Sequence, residues 1–499
     1  MDEMHNLGFL LAAACRKFGP ATAIDAAQSK LTYDALLEVA TTVERALKER
    51  DCQPDEPVHV LVSNHPSDLA GFLGVWLAGG VAVPIHRTTP AGIVDSIHNK
   101  TRARFAVDVA RCSTAGTPPV IEVGKALPQA GRGQDNAALI IFTSGSTGVP
   151  KGVVVRHDAF SGKLRAIDAM VHFRRNQRTL QLLNITFSFG IWVSLLTLMG
   201  GGTIVLPEKF IPAHLLEQLS NEQIHRVGVV PTMLRAMLAV LAHGRAAGNS
   251  FTSSCPALRQ ILTGGEQLSE QLATQVAALF PETDLINIYG LTETSTCDFF
   301  QFPADRQANP HSLGLPSSRV RYRVVNEVGQ ESAPGSIGEL QISSPFLMSG
   351  YLDEPALTEA AFDGSWFRTG DLAALDTDGQ VRLMGRSKEL ISRGGNKVTP
   401  MEVERAIKQF DTVSDCMVVG APDEILGERI HVLVVPNSDC VIDPDSLRTF
   451  LLTKLDRFKL PDYIYVAEAL PVGRTGKADR KELRNMITSG LLVPLAGRS

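Results

Sequence analysis

The sequence predicts an α/β protein. A large N-terminal domain would comprise several subdomains, with parallel sheets flanked by helices plus a β-rich subdomain, and a small α+β C-terminal domain would follow. Three observations carry this reading. The chain has 499 residues, too many for one ordinary compact core. Short β-branched runs alternate with amphipathic stretches through its first half, the rhythm of parallel strands with helices on their faces. After Pro310 the texture changes to short strands and Gly/Pro/Asp turns. The last natural break lies at Arg386-Ser387-Lys388, so the domains are read as 1–387 and 388–499.

In chain order, the apolar run Leu7–Ala14 mimics a leader peptide, but it is short. Asp2 and Glu3 precede it where positive charge is needed, so it reads as a core helix. Leu31–Arg50 is an amphipathic helix opened by Thr32, with Leu36, Leu37, Val43 and Leu47 at helical spacing. Val58–Val62 suits a buried strand; Leu69–Leu77 is helical and stops at Gly79-Gly80 before a strand at Val81–Ile85. Further strands are expected at Ala138–Phe142, Gln181–Thr186, Gly202–Leu206 and Arg226–Val230, with helices at Ala213–Leu219 and Thr232–Ala242. The β-rich part holds Val320–Val325, Gly338–Ile342 and Val381–Met384. In the C-terminal unit a helix starts at Pro400, with Thr399 as N-cap and Glu402 completing a capping box. Strands at Met417–Val419 and Ile430–Val435 and a helix around Ser446–Leu455 follow.

Composition excludes several classes of function. A formal net charge of -5 gives no general affinity for nucleic acid or anionic membrane. The 7 cysteines are widely spaced, odd in number and without a CxxC pair, and the 12 histidines show no HExxH spacing. Reduced thiols in a cytoplasmic protein, without a structural metal, are expected. No stretch approaches the ~18 to 20 apolar residues that span a bilayer. Monomer and homodimer stay equally open.

Four segments carry the chemistry. Thr143–Gly152, TSGSTGVPKG, follows a strand and offers backbone N–H groups and hydroxyls to an anion. It is not a P-loop, because Pro150 stands at the second glycine position and Gly152 where a Mg²⁺-binding hydroxyl is needed. Taken alone, such a loop is more often a connector. Asn287–Thr294, NIYGLTET, places an aromatic face, a hydroxyl and a carboxylate at one strand end, where open α/β sheets bind ligands; the bland alternative is a strand exit with a surface Glu. In Trp366–Leu372, WFRTGDL, Asp371 either caps a Gly turn or accepts from two ribose hydroxyls. The fourth is Arg474-Thr475-Gly476-Lys477, whose lysine would by itself be a solvated side chain.

Together these segments resemble the acyl-adenylate-forming (AMP-binding) superfamily, closest in pattern to its acyl- and aryl-CoA ligases. The resemblance covers nearly the whole chain, with the motifs in family order. It implies ATP-dependent activation of a carboxylic acid to an acyl-AMP with release of pyrophosphate, then transfer to a thiol. By likeness, Thr143, Ser144, Gly145, Ser146, Thr147, Gly148 and Lys151 hold the β- and γ-phosphates. Thr292 contacts the α-phosphate and Glu293 holds Mg²⁺. Gly264, Gly265 and Glu266 line the adenine, with Tyr289 stacking on it and Gly290 in the turn beside it. Asp371 and Arg386 hold the ribose, and Lys477 reaches the substrate carboxylate and the α-phosphate. The resemblance also implies a mobile C-terminal domain that turns about Lys388, bringing Gly394 and Gly395 to a pantetheine tunnel.

The acyl pocket is read at Phe187 and Phe189 as apolar wall, with Gly190 leaving room for a ring or chain. Amino-acid-activating relatives carry an Asp after a Phe in this region; Gly190 follows Phe189 here, which disfavours a substrate ammonium. Cys297 and Phe299 are either near the acyl end or core. An aryl or medium-chain acid is expected, with coenzyme A as acceptor. A free-standing enzyme loading the phosphopantetheine of an acyl carrier protein is the alternative. Arg393, Lys397, Arg457 and Lys459 are either CoA phosphate contacts or plain surface. A catalytically silent ligand-binding relative would lack Glu293 or Lys477, and both are present.

Overall fold

The computed structural model describes residues 5–27, 29–113, 119–124, 135–143, 150–207, 210–221, 223–246, 255–437, 440–473 and 478–497. The fold is mixed α/β and packs as two compact units. The first comprises Met1–Pro310, Gly314–Arg321 and Ile342–Phe367; the second comprises His311–Leu313, Tyr322–Gln341 and Arg368–Ser499. Among the described residues no helix is long and apolar enough to cross a membrane.

Two sheets with parallel interiors build the first unit. One runs in the order Gly350–Tyr351, Lys151–Arg156, Ala137–Thr143, Val81–His86, Pro57–Val62, Phe105–Val107, Val120–Glu122. The other runs Leu315–Pro316, Phe299–Gln301, Asp284–Tyr289, Gln260–Gly264, Arg226–Val229, Arg178–Gln181, Thr203–Leu206, Thr22–Ala26, Ser29–Thr32. The central pairs of both are parallel, and the pairs towards each edge are antiparallel. Helices Leu7–Phe18, Tyr33–Lys48, Asp68–Leu77, His157–Val171 and Ser188–Met199 fill the main core with side chains from both sheets. Leu7–Phe18 is thus a core helix, capped by the Asn6 side chain accepting from Gly8 and Phe9 N–H. Helix Tyr33–Lys48 is capped by Thr32 as expected, its side chain accepting from Ala35 N–H. Trp76 ties its helix to the strand Ala137–Thr143 by donating to the Ala138 carbonyl at 2.8 Å. A second core lies under helices Pro212–Asn221, Pro231–Ala246 and Glu270–Leu279.

One expected strand is misplaced. Arg178–Gln181 is extended, but the chain leaves the sheet where Gln181–Thr186 was expected to begin. Gln181 turns its amide onto the Leu183 carbonyl at 2.6 Å, and Asn184 Oδ1 accepts from Thr186 N–H at 2.8 Å, an Asx turn that ends the ladder.

The second unit has its own core around Val413–Asp423, Gly427–Pro436 and Tyr463–Val466, covered by helices Pro400–Ile407 and Pro444–Leu452. Pro400 takes the first helical position, but the expected capping box is absent. Thr399 Oγ1 is buried without a partner, and Glu402 is drawn to Lys459 at 2.7 Å. The tertiary ion pair outcompetes the local cap.

Candidate active site

In the first unit the residues of two motifs meet at strand ends. Ala137–Thr143 pairs antiparallel with Lys151–Arg156, Thr143 opposite Lys151. Ser144, Gly145, Ser146, Thr147 and Gly148 lie outside the described residues. Lys151 Nζ sits 5.3 Å from the Tyr351 ring centroid, a cation–π distance. The Tyr351 hydroxyl donates to Glu293 Oε1 at 3.1 Å. Lys151 and Glu293, 142 positions apart in the chain, therefore share one aromatic neighbour. Burial and the Glu293 carboxylate push the Tyr351 hydroxyl above its ordinary range, keeping it a donor.

Strand Asp284–Tyr289 ends at the Tyr-Gly turn, and Thr292–Thr294 forms one turn of 3₁₀ helix just beyond. The Met348 N–H donates to the Glu293 carbonyl at 2.8 Å, fixing the backbone while the carboxylate stays half-buried. Gly290 admits no side chain: a Cβ would overlap the Cys297 nitrogen and lie 2.7 Å from the Thr296 carbonyl carbon. Tyr289 is half-buried, its ring 6.1 Å from Phe299. Cys297 and Phe299 are both buried.

On the neighbouring strand Gln260–Gly264, Gly264 pairs with Ile288, whose carbonyl occupies the space of a side chain. Gly265 follows with φ +81, so the backbone turns away at the same sheet edge as Tyr289. Glu266 is engaged: its carboxylate accepts from Thr232 Oγ1 at 2.9 and 3.0 Å and pairs with Arg235 at 3.6 Å.

Phe187 precedes the helix Ser188–Met199 and is half-buried, as is Phe189, which stacks on Trp192 with centroids 5.3 Å apart. A Cβ on Gly190 would overlap the Asn184 carbonyl and lie 2.7 Å from its carbon. The missing side chain makes room for the protein's own backbone, not for a ligand.

In the second unit Asp371 and Arg386 are register partners on adjacent antiparallel strands. Arg386 Nε donates to Asp371 Oδ1 at 2.9 Å, with Asp371 buried and Arg386 exposed. Asp371 is a strand residue that receives a guanidinium, not a turn cap. Lys388 is exposed within the 3₁₀ turn Ser387–Glu389. Gly394 and Gly395, at φ +55 and +81, form the two-residue turn between Ile391–Arg393 and Asn396–Val398, and hairpin turns of this kind demand positive φ at both positions. Arg393 is committed to Asp462 at 2.6 and 3.0 Å, and Lys459 to Glu402 and Asp456. Lys397 reaches Glu327 at 3.5 Å, and Arg457 is exposed. Lys477 lies outside the described residues.

Sequence reasoning missed Tyr351. Its local signal, Gly350-Tyr351 after an apolar run, is indistinguishable from any edge strand.

The AMP-binding enzyme family matches residues 11–352, and the AMP-binding enzyme C-terminal domain matches 402–477. The chain is 29% identical to a feruloyl-CoA synthase from Amycolatopsis sp over 479 residues, covering 93% of this chain and 95% of that one. It is also 29% identical to a fatty acid–[acyl-carrier-protein] ligase from Streptomyces coeruleorubidus, covering 91% of each. In structure it resembles ATP-bound MatB from Rhodopseudomonas palustris, with TM-score 0.82 and 24% identity, over 96% of this chain and 99% of that one.

Proposed function

Because the chain belongs to the AMP-binding enzyme family, we propose that it activates a small carboxylic acid with ATP and passes the acyl group to coenzyme A. The substrate carboxylate oxygen attacks the α-phosphorus, and the bond to the β-phosphate oxygen breaks with departure of pyrophosphate. The CoA thiolate then attacks the acyl carbon, and AMP leaves with both electrons of the broken C–O bond. Charge grows on oxygen in both steps, so fixed donors and cations carry the catalysis.

The supporting observation is the cluster at the Tyr-Gly strand end, where Glu293 and Lys151 meet at Tyr351. Thr292 would donate to the α-phosphate, and Lys151 with the loop 143–148 would hold the outer phosphates. Glu293 would hold Mg²⁺. A single carboxylate fits an ion that keeps its other positions for phosphate oxygens and water, and it would neutralise charge on those oxygens. Tyr289 would stack on the adenine beside Gly264, Gly265 and Glu266, with Asp371 and Arg386 on the ribose. Lys477 would touch both the acid and the α-phosphate and then withdraw as the C-terminal domain turns about Lys388, with Gly394-Gly395 admitting the thiol arm.

An aryl or medium-chain acid suits the chain best. Neither Phe187 nor Phe189 is followed by an acid: Ser188 and Gly190 take those places. Amino-acid-activating relatives carry an acid after a Phe in this segment, and by that resemblance its absence here disfavours an α-amino acid. The Amycolatopsis relative is a feruloyl-CoA synthase, which favours an aryl acid. The second reading, loading of a free carrier protein, is favoured by the similar Streptomyces ligase. Pyrophosphate exchange across benzoates, cinnamates, medium-chain fatty acids and α-amino acids tests the first half; exchange with α-amino acids alone would refute it. Offering CoA and phosphopantetheinylated carrier protein in parallel decides the acceptor.

A further inference from the structure

Lys163 and Asp298 form an ion pair whose side chains are both 0% exposed, and the proposed reaction uses neither. Lys163 lies in the helix His157–Val171. Its Nζ is 2.8 Å from Asp298 Oδ1, 3.4 Å from the Cys297 carbonyl and 5.4 Å from the Phe346 ring centroid. A carboxylate, a carbonyl and a ring face thus surround an ammonium with three donors. Burial drives Asp298 toward its protonated form, and Lys163 is the foremost group opposing this.

Asp298 closes the base of the segment carrying Thr292 and Glu293. Its N–H donates to the Tyr289 carbonyl and its carbonyl accepts from Ser317 N–H, both at 2.7 Å. Its Oδ2 accepts from the Thr294 hydroxyl, which in turn accepts from Leu291 N–H at 3.2 Å and closes the 3₁₀ turn. Between turn and carboxylate, Ser295, Thr296 and Cys297 have φ of 56, 69 and 50. Three consecutive L-residues in the left-handed region persist only where surrounding contacts over-determine them. Ser295 Oγ contributes one by donating to the Phe346 carbonyl at 2.6 Å, Ser295 and Thr296 N–H donate to the Thr292 and Leu291 carbonyls at 3.0 and 2.8 Å, and Lys163 adds its contacts to the Cys297 carbonyl and the Asp298 carboxylate. A packed apolar pair would fill the same space, whereas a buried ion pair enforces one geometry.

We propose that Lys163 is a positioning residue for nucleotide binding: through Asp298 and Thr294 it sets the turn that presents Thr292 and Glu293. This rests on the adenylation reading above. The test compares wild type, Lys163→Met, Asp298→Asn and the double variant, which retains an acceptor for Thr294 without buried charge. ATP binding by calorimetry with and without Mg²⁺, thermal unfolding and pyrophosphate exchange are measured on each. Lys163→Met should weaken Mg²⁺-dependent ATP binding about tenfold or more while Mg²⁺-free binding changes less than about threefold, and the double variant should recover most of the loss. Wild-type-like MgATP binding in Lys163→Met overturns the proposal, as does a parallel loss with and without Mg²⁺ that tracks stability. Should Lys163→Met fail to fold, Asp298→Asn and the double variant decide: unaltered Mg²⁺ dependence in Asp298→Asn overturns it. Wild type that binds MgATP but exchanges pyrophosphate with no acid refutes the adenylation reading while leaving the binding comparison intact. Wild type that binds no ATP refutes both.

Discussion

Gly290→Ala asks whether the Tyr-Gly turn is aimed by backbone contact. The new Cβ would overlap the Cys297 nitrogen and lie 2.7 Å from the Thr296 carbonyl carbon, whereas real Cβ atoms essentially never approach under 3.0 Å. Both obstacles are backbone, so no side chain can rotate aside. They also belong to the segment whose φ values of 56, 69 and 50 leave it little freedom to yield. Relief therefore requires the turn and the 296–297 backbone to separate by about 1 Å, and overpacking of this kind costs about 1–3 kcal/mol. The same displacement of Thr292 and Glu293 from a reacting phosphate costs about 10²-fold in rate. Pyrophosphate exchange at saturating ATP and acid, with the melting temperature alongside, reads both. Gly92→Ala is the control, since a Cβ at Gly92 in the helix Ala91–Thr101 meets nothing within 4 Å. It should stabilise by up to about 1 kcal/mol and leave exchange unchanged. A Gly290→Ala enzyme within about threefold of wild type, about 0.6 kcal/mol, would refute the reasoning, because a shift that small is no displaced turn.

The remaining predictions follow from burial. His59, His157 and His431 are each lowered from 6.5 to about 4 by burial. A lowered pKa means that the unfolded chain takes up protons first, so stability should hold above pH 6.5 and fall as the pH drops towards 4. Urea titrations across that window check this, and a flat profile would refute it. Arg226 is buried, stacked 3.7 Å from the Phe173 ring centroid, and donates twice to Gln260 Oε1 at 2.6 and 2.8 Å. Gln260→Leu removes both of these bonds, leaving Arg226 its bond to the His172 carbonyl at 3.2 Å, and should cost about 1.5–3 kcal/mol, most of it regained in Arg226→Met/Gln260→Leu, as chemical denaturation would show. Tyr351→Phe removes the hydroxyl on Glu293 and should lower exchange about three- to tenfold with a raised Mg²⁺ requirement; unchanged Mg²⁺ dependence would argue against the Tyr351 link. Lys477→Ala should cut adenylate formation far more than thioester formation from supplied acyl-AMP, and equal losses would sink its proposed double role.

What the chain disclosed from sequence is what depends on nearest neighbours or on a ligand. Strands such as Val81–His86 and helices such as Tyr33–Lys48 follow from periodicity and a cap three residues away. Motif residues are legible because their types and spacing follow the family's order along the chain. Failures arose where a specific contact, near or far along the chain, overrode the periodic signal. Glu402 has a capping position available yet binds Lys459, 57 positions on; the Asx turn at Asn184 truncates an otherwise plausible strand; Gly190 answers to the Asn184 carbonyl rather than to a substrate. Tyr351 and Lys163 belong to the same class. Each acts on Glu293 or its turn from 58 and 135 positions away, measured to Glu293 and Asp298, and a lone Tyr or helical Lys carries no local mark of that role. On the proposed reading a motif names the groups that would touch the nucleotide, whereas the groups that aim them are set by tertiary packing. Swapping the motif alone onto another α/β sheet should accordingly transfer little catalysis, because it would leave behind the buried pair and the tyrosine that hold the turn in place.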